Sequence, residues 1–292
     1  YTRYIQKQQP MMQRISSTSK ILKIHQHSYS MAKTINIELK APQSWSELIQ
    51  EQLRYVFYLM ATFADMTVVK TYMFVRFTGI SVIEKNRYGW KCAYKPEGEK
   101  LKVFYIEAWQ IHSFLKQLSW VDSTEDMGNR LDVVQGLQAV HPLLQEDTEH
   151  KRIISFGEYL CMEQQYQLFH ETKKQEHIDK LASFLYRKPD FSRPDELSLT
   201  IEESLATIAW FANIKLVMSR AFPNFFRKAT ADDVTELSVL QSINLQLRAL
   251  TDGDVTKEAE VKRVDCWRAL TELDAKAKEA ADFRRKYPDL NK

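Results

Sequence analysis

Two histidines beside a glutamate are the first residues in this chain that could bind a metal. His170-Glu171 is followed by His177, and a helix could bring both imidazoles to one face. The zinc-protease pattern requires His-Glu-x-x-His, which the chain lacks. Lys173 and Lys174 also lie between the two histidines, where a cation would repel a metal ion. We therefore interpret His170 and His177 as solvated surface side chains and expect no metal site.

Paired carboxylates could provide acid–base chemistry. Glu202-Glu203 and Asp232-Asp233 each fall in the first turn of a predicted helix, where the helix dipole favours negative charge without any catalytic role. The chain contains no Gly-x-Ser-x-Gly, no phosphate-binding loop, no Gly-x-Gly-x-x-Gly and no Cys-x-x-Cys. We expect a protein that is not an enzyme and has no cofactor. An active site assembled from residues far apart in sequence is the alternative.

An unusual basic and aromatic cluster runs from Arg220 to Lys228. Its phenylalanines could stack on the bases of single-stranded nucleic acid while the cations contact phosphates. They could instead fold back over the core after a helix, or form an exposed patch that binds a protein partner. The candidate partner-binding residues are Phe222, Phe225, Phe226, Arg227 and Lys228.

The first thirty residues make the chain basic. They contain five Lys and Arg and no acidic residue, whereas the whole chain carries a net charge of +3. Removing these five from the 41 basic residues leaves 36 against all 38 Asp and Glu, so the body from Met31 has a charge of −2. We interpret residues 1–30 as upstream sequence that is not native to the protein, or as a disordered leader, and expect them to contribute nothing to the fold.

Composition favours a folded, soluble, cytoplasmic protein. The chain is 44% hydrophobic and 27% charged, and its seven glycines are too few for a turn-dense all-β fold. The stretch from Leu205 to Met218 is nearly apolar but too short to span a bilayer. Three widely spaced cysteines, Cys92, Cys161 and Cys266, are predicted to be buried free thiols in a reducing compartment.

Residues 31–118 are predicted to form a small α+β domain. Residues 34–39 alternate like a strand, and the capping-box pair Ser44 and Glu47 predicts a helix that buries Ile49 and continues to Phe63. A second helix is predicted to end at Gly79. A three-stranded antiparallel meander and a further helix follow, at 80–83, 88–94, 101–106 and 108–118.

Residues 119–154 are predicted to be a connection and residues 155–292 a helical domain. Capping boxes start two of its helices, with Ser155 paired to Glu158 and Thr200 paired to Glu203. The expected fold class is therefore mainly α, with a small antiparallel meander near the N-terminus. The helices are predicted at 155–171, 177–187, 205–221, 234–250 and 256–285.

Three stretches belong together: Ser44–Val56, Arg76–Ile80 and, near the C-terminus, Leu250–Lys257 with Trp267–Leu273. Together they resemble an uncharacterised family from the tail-gene region of tailed phages and prophages of gut anaerobes. By analogy with helical proteins of that region, the resemblance implies a tail assembly chaperone or interaction protein that binds a structural partner. It implies no catalytic or binding residue. A nucleic-acid-binding or regulatory protein that uses the cluster at 220–228 is the alternative.

Overall fold

The computed structural model describes residues 37, 39–140, 154–227 and 238–287. In this part of the chain, 59% of residues are helical, with nine α-helices and two three-stranded antiparallel sheets. The predicted class, mainly α with a small β-meander near the N-terminus, is confirmed. Residues 1–30 and most of the predicted strand at 34–39 lie outside the described residues.

The chain is divided into two compact units. The first contains residues 1–48 and 63–122, and the second contains 49–62 and 123–292. This division differs from the predicted boundaries at 49–62, because the helix formed there packs against a helix of the second unit. The helices are α1 (Gln50–Thr62), α2 (Met66–Thr78), α3 (Ala108–Gln117), α4 (Phe156–Thr172), α5 (Gln175–Leu185), α6 (Ile201–Ala221), α7 (Val239–Thr251), α8 (Glu258–Arg263) and α9 (Cys266–Lys286). The strands are β1 (Ser81–Asn86), β2 (Gly89–Tyr94), β3 (Lys102–Glu107), β4 (Val133–Val134), β5 (Leu137–Ala139) and β6 (Tyr186–Arg187).

The first unit contains the predicted meander, in the order β1-β2-β3, with α2 and α3. Helix α2 ends at Gly79, whose φ of +70° suits a residue without a side chain. Phe74 of α2 and Phe114 of α3 stack with ring centroids 5.1 Å apart, and both are buried. The aromatic and β-branched runs separated by turn residues therefore located this sheet correctly.

Gly89 closes the turn between β1 and β2. Its φ is +155°, and a Cβ atom built there would overlap the carbonyl oxygen of Ile106 on β3. The neighbouring Tyr88 carbonyl accepts a hydrogen bond of 2.8 Å from the Ala108 N–H, which joins the turn to the start of α3. Only glycine allows this close approach of two backbones.

The predicted capping box at Ser44 and Glu47 is wrong. Ser44 precedes a short 3₁₀ turn without capping it, and the Glu47 carboxylate instead accepts a 2.8 Å hydrogen bond from the Gln43 N–H. The 3₁₀ turn buries Trp45, and burial of this large ring takes precedence over the local helix signal. Helix α1 begins only at Gln50, so Ile49 is exposed and not on the core face as predicted.

The second unit is organised around α6, which is buried along much of its length. The predicted capping boxes at its first turn and at the first turn of α4 are both present, since Thr200 pairs with Glu203 and Ser155 with Glu158. Helix α1 packs on α6, while α4 packs on α5. These local signals were therefore sufficient to place the starts of two helices.

A second sheet lies where a connection was predicted at 119–154. The β4–β5 hairpin pairs with β6, and β6 follows directly on α5. The predicted helix 177–187 is therefore wrong at its end, because Tyr186 and Arg187 are extended and buried against the hairpin. Strands of two or three residues leave too little alternation to be recognised in sequence.

The last predicted helix is broken at Val264. The carbonyl of Val264 accepts a 2.8 Å hydrogen bond from the Phe156 N–H, and the Cys266 N–H donates to the Ile154 carbonyl at 3.4 Å. These bonds hold the backbone extended, and the Asp265 side chain then caps α9 by accepting from the Arg268 N–H. The apolar spacing continues through this break, so sequence periodicity alone could not reveal it.

Candidate interaction surface

The aromatic cluster after α6 is attached to α9. Phe222 is only 4% exposed, and its ring meets Trp267 edge-on with centroids 4.8 Å apart. The Asp274 carboxylate accepts hydrogen bonds of 2.8 and 2.9 Å from the backbone N–H groups of Asn224 and Phe225. Phe222 is therefore a core residue and is not available to a partner.

The remaining candidate residues of the cluster differ in exposure. Phe225 and Phe226 are half-buried and contact each other edge-on at 4.7 Å, and Arg227 is exposed. Lys228 lies outside the described residues. This arrangement agrees with the interpretation that the chain folds back over the core after a helix. The basic residues lie near the C-terminus of α6, where the helix dipole favours positive charge.

Helix α9 extends well beyond its own core. No side chain from Asp274 to Tyr287 is buried. In the described part of the chain, the polar and ring contacts found beyond Lys276 join residues of the helix itself. Phe283 is 54% exposed and Tyr287 is 41% exposed, with ring centroids 5.0 Å apart. The buried residues of the first half are Cys266, Ala269, Leu270 and Leu273.

Helix α7 lies beside α9 and exposes much of its apolar surface. Its buried residues are Leu247 and Thr251, whereas Leu240 is 60% and Leu245 52% exposed. A capping box of Ser238 and Gln241, which sequence analysis missed, starts this helix. The predicted start at 234 and the acidic pair before it lie outside the described residues. Thus α7 and the end of α9 each expose apolar side chains on the second unit.

The two histidines considered as possible metal ligands instead contact neighbouring side chains. His170 is exposed at the surface, and its ring lies edge-on to the Tyr166 ring with centroids 4.5 Å apart. Partial burial of the imidazole, and to a smaller extent the positive charges of Lys173 and Lys215, lower the pKa of His170. His177 Nδ1 is 2.9 Å from the Gln165 side chain on α4. Within the described ranges, no three His, Cys, Asp or Glu side chains lie close enough together to hold a metal ion.

An ion pair joins α4 to α6, and no pattern in the sequence predicts it. Lys215 Nζ lies 2.6 Å from Glu163 Oε1, which also accepts a 2.8 Å hydrogen bond from Gln167. Lys215 is also 4.9 Å from the centre of the Tyr166 ring, and burial, reinforced by the negative charge of Glu163, raises the pKa of that phenol. These contacts tie the two helices together, and no sequence spacing connects residues so far apart.

No protein-family model, curated protein or solved structure matches the chain. None of the helices that the structure describes is both long and apolar enough to cross a membrane.

Proposed function

We propose that this chain is a non-enzymatic phage tail assembly or tail-region interaction protein that binds a structural partner. The partner would be a tail protein such as a tape-measure protein, and binding would take place in the cytoplasm of a bacterial host. The resemblance of the N-terminal and C-terminal stretches to the tail-region family supports the tail assignment. The exposed apolar surface of α7 and α9 supports the binding role.

The observation that carries the proposal is the unsupported end of α9. Residues 277–286 would form a rod of about 15 Å at 1.5 Å per residue. A helix this short is marginal alone in water, and most helical stability in proteins comes from packing one apolar face. The exposed Phe283 and Tyr287 lie on one face of this rod. They are suited to pack against an apolar helical surface of a partner and shield it from solvent until assembly.

Truncation after Lys276 tests this proposal. Because the last buried residue of α9 is Leu273, we expect the melting temperature to change little. Co-purification with the tail proteins encoded beside this gene should be lost when they are co-expressed. A matched chain ending at Tyr287 should keep both properties. Continued co-purification of the shorter chain, or its unfolding, would show that the end of α9 is not the binding surface.

A further inference from the structure

A shallow depression lies between α7 and α9, at the point where α9 leaves its core. It encloses about 520 Å³ and is open to solvent. The α7 residues that line it are spaced i, i+3, i+4 and i+7 and so form one face of that helix. The lining residues are Leu245, Arg248, Ala249, Asp252, Gly253 and Lys276.

The exposed end of α9 continues this depression. Counting from Lys276, the residues at i+4, i+7 and i+11 are Ala280, Phe283 and Tyr287, which therefore share the face of Lys276. Leu245 of α7 is also more than half exposed. On α9, therefore, the residue that lines the depression shares a face with the exposed rings of Phe283 and Tyr287.

The exposed end of α9 is basic overall. Residues 276–287 contain five Lys and Arg but only two acidic residues. Lys276 is paired with Asp252 at 2.5 Å, and Arg285 lies 3.7 Å from Asp282. The Arg248 side chain is exposed and has no partner among the described residues. An occupant with acidic flanks would complement this charge.

We infer that the segment bound here is an acidic amphipathic helix, with an apolar stripe between glutamate- or aspartate-rich flanks. The inference rests on the proposed function, because it names the chemistry of the partner at the same surface. Phe283 and Leu245 are the apolar anchors, and Arg248 selects acidic residues at the edge. Basic residues in a last helical turn also stabilise the helix, so folded stability must be measured together with binding.

Two labelled helical peptides test the inference by fluorescence anisotropy at physiological salt. Both have about 18 residues, long enough for five turns, and the same leucine stripe; one has Glu flanks and the other Lys flanks. The full chain should bind the Glu peptide at least about tenfold more tightly, equivalent to about 1.4 kcal/mol. Leu245→Asp should lose this binding, whereas Leu101→Asp, at an exposed leucine of the first unit, should keep it.

The charge-reversed variant Arg248→Glu separates specificity from stability. It should weaken binding of the Glu peptide and strengthen binding of the Lys peptide, with an unchanged melting temperature. Equal binding of both peptides, or binding of neither, would overturn the inference.

If truncation after Lys276 abolishes co-purification but the peptides are not distinguished, the proposed function stands and the acidic chemistry fails. If the peptides behave as expected but no tail protein co-purifies, the proposed function fails and the chemistry of the surface stands.

Discussion

Glu203 shows how one side chain can serve a local and a tertiary purpose. It completes the capping box of α6, accepting from the Thr200 N–H at 3.2 Å. It also lies 3.4 Å from Arg54 on α1 and accepts a 3.0 Å hydrogen bond from the Gln135 side chain. The helix-terminus interpretation of this carboxylate was therefore correct but incomplete. Its buried oxygens also join α1 and the β4–β5 turn to α6.

The cysteines differ in accessibility, contrary to the prediction that all three are buried. Cys161 is exposed on α4, whereas Cys92 and Cys266 are buried, and all three are free thiols. Burial raises the pKa of Cys92 to about 11, opposed by nearby Lys85. Burial, reinforced by Asp265, also raises the pKa of Cys266. Cys161 is the exposed one of the three, so it should be the thiol that reacts readily in the folded protein.

Thiol titration with Ellman's reagent near pH 8 checks this expectation. The folded chain should react rapidly at one thiol, and the unfolded chain at all three. Replacement Cys161→Ser should remove the rapid reaction without changing the slow one. Rapid reaction persisting in that variant would mean that a buried thiol is accessible.

At the scale of elements, buried ionic contacts determine how the helices of the second unit meet. Arg187 of β6 is almost fully buried and lies 2.8 Å from Glu158 in the first turn of α4. Its Nε also donates to the Phe184 carbonyl at 3.1 Å. This pair links the end of α5 and the second sheet to the capping box of α4.

Glu158→Gln should destabilise the protein by roughly 3 kcal/mol, the lower end of the cost of removing one partner of a buried pair. Glutamine can still complete a capping box, so the loss would come from leaving the Arg187 cation buried without its carboxylate. Ser155→Ala, which removes only the cap, should cost about 1 kcal/mol. Urea unfolding measures both changes. Similar costs for the two variants would contradict a role for the ion pair.

Glu258–Lys262, Glu272–Lys276 and Asp274–Lys278 are spaced i,i+4, which predicts ion pairs within the last helix. Glu258 and Lys262 are 3.4 Å apart on α8 as expected. Lys276 instead reaches Asp252 after α7, and Asp274 binds backbone groups after α6. Lys276 and Asp274 form these tertiary contacts because a fixed backbone donor or a nearby carboxylate offers better geometry than a flexible side chain on the same helix surface.

At the scale of the whole molecule, net charge predicts weak affinity for nucleic acid. The body from Met31 carries −2, and phosphate contacts dominate such binding. A chain starting at Met31 should show no binding tighter than about 1 μM to single-stranded DNA at physiological salt. Anisotropy titration measures this. Tighter, salt-sensitive binding that is lost in Arg220→Ala and Arg227→Ala would favour the nucleic-acid alternative instead.

The sequence alone determined the features that depend on neighbouring residues. The start of α4 at Ser155, the end of α2 at Gly79 and the meander strands are local, because caps, turns and short β-branched or aromatic runs act within a few residues. The tertiary structure alone decided which apolar residues are buried. Phe222 joins the core because Asp274 holds its loop against α9, and Val264 breaks a regular apolar pattern because it bonds to Phe156. Such burial depends on packing between elements distant in sequence, which no local spacing records.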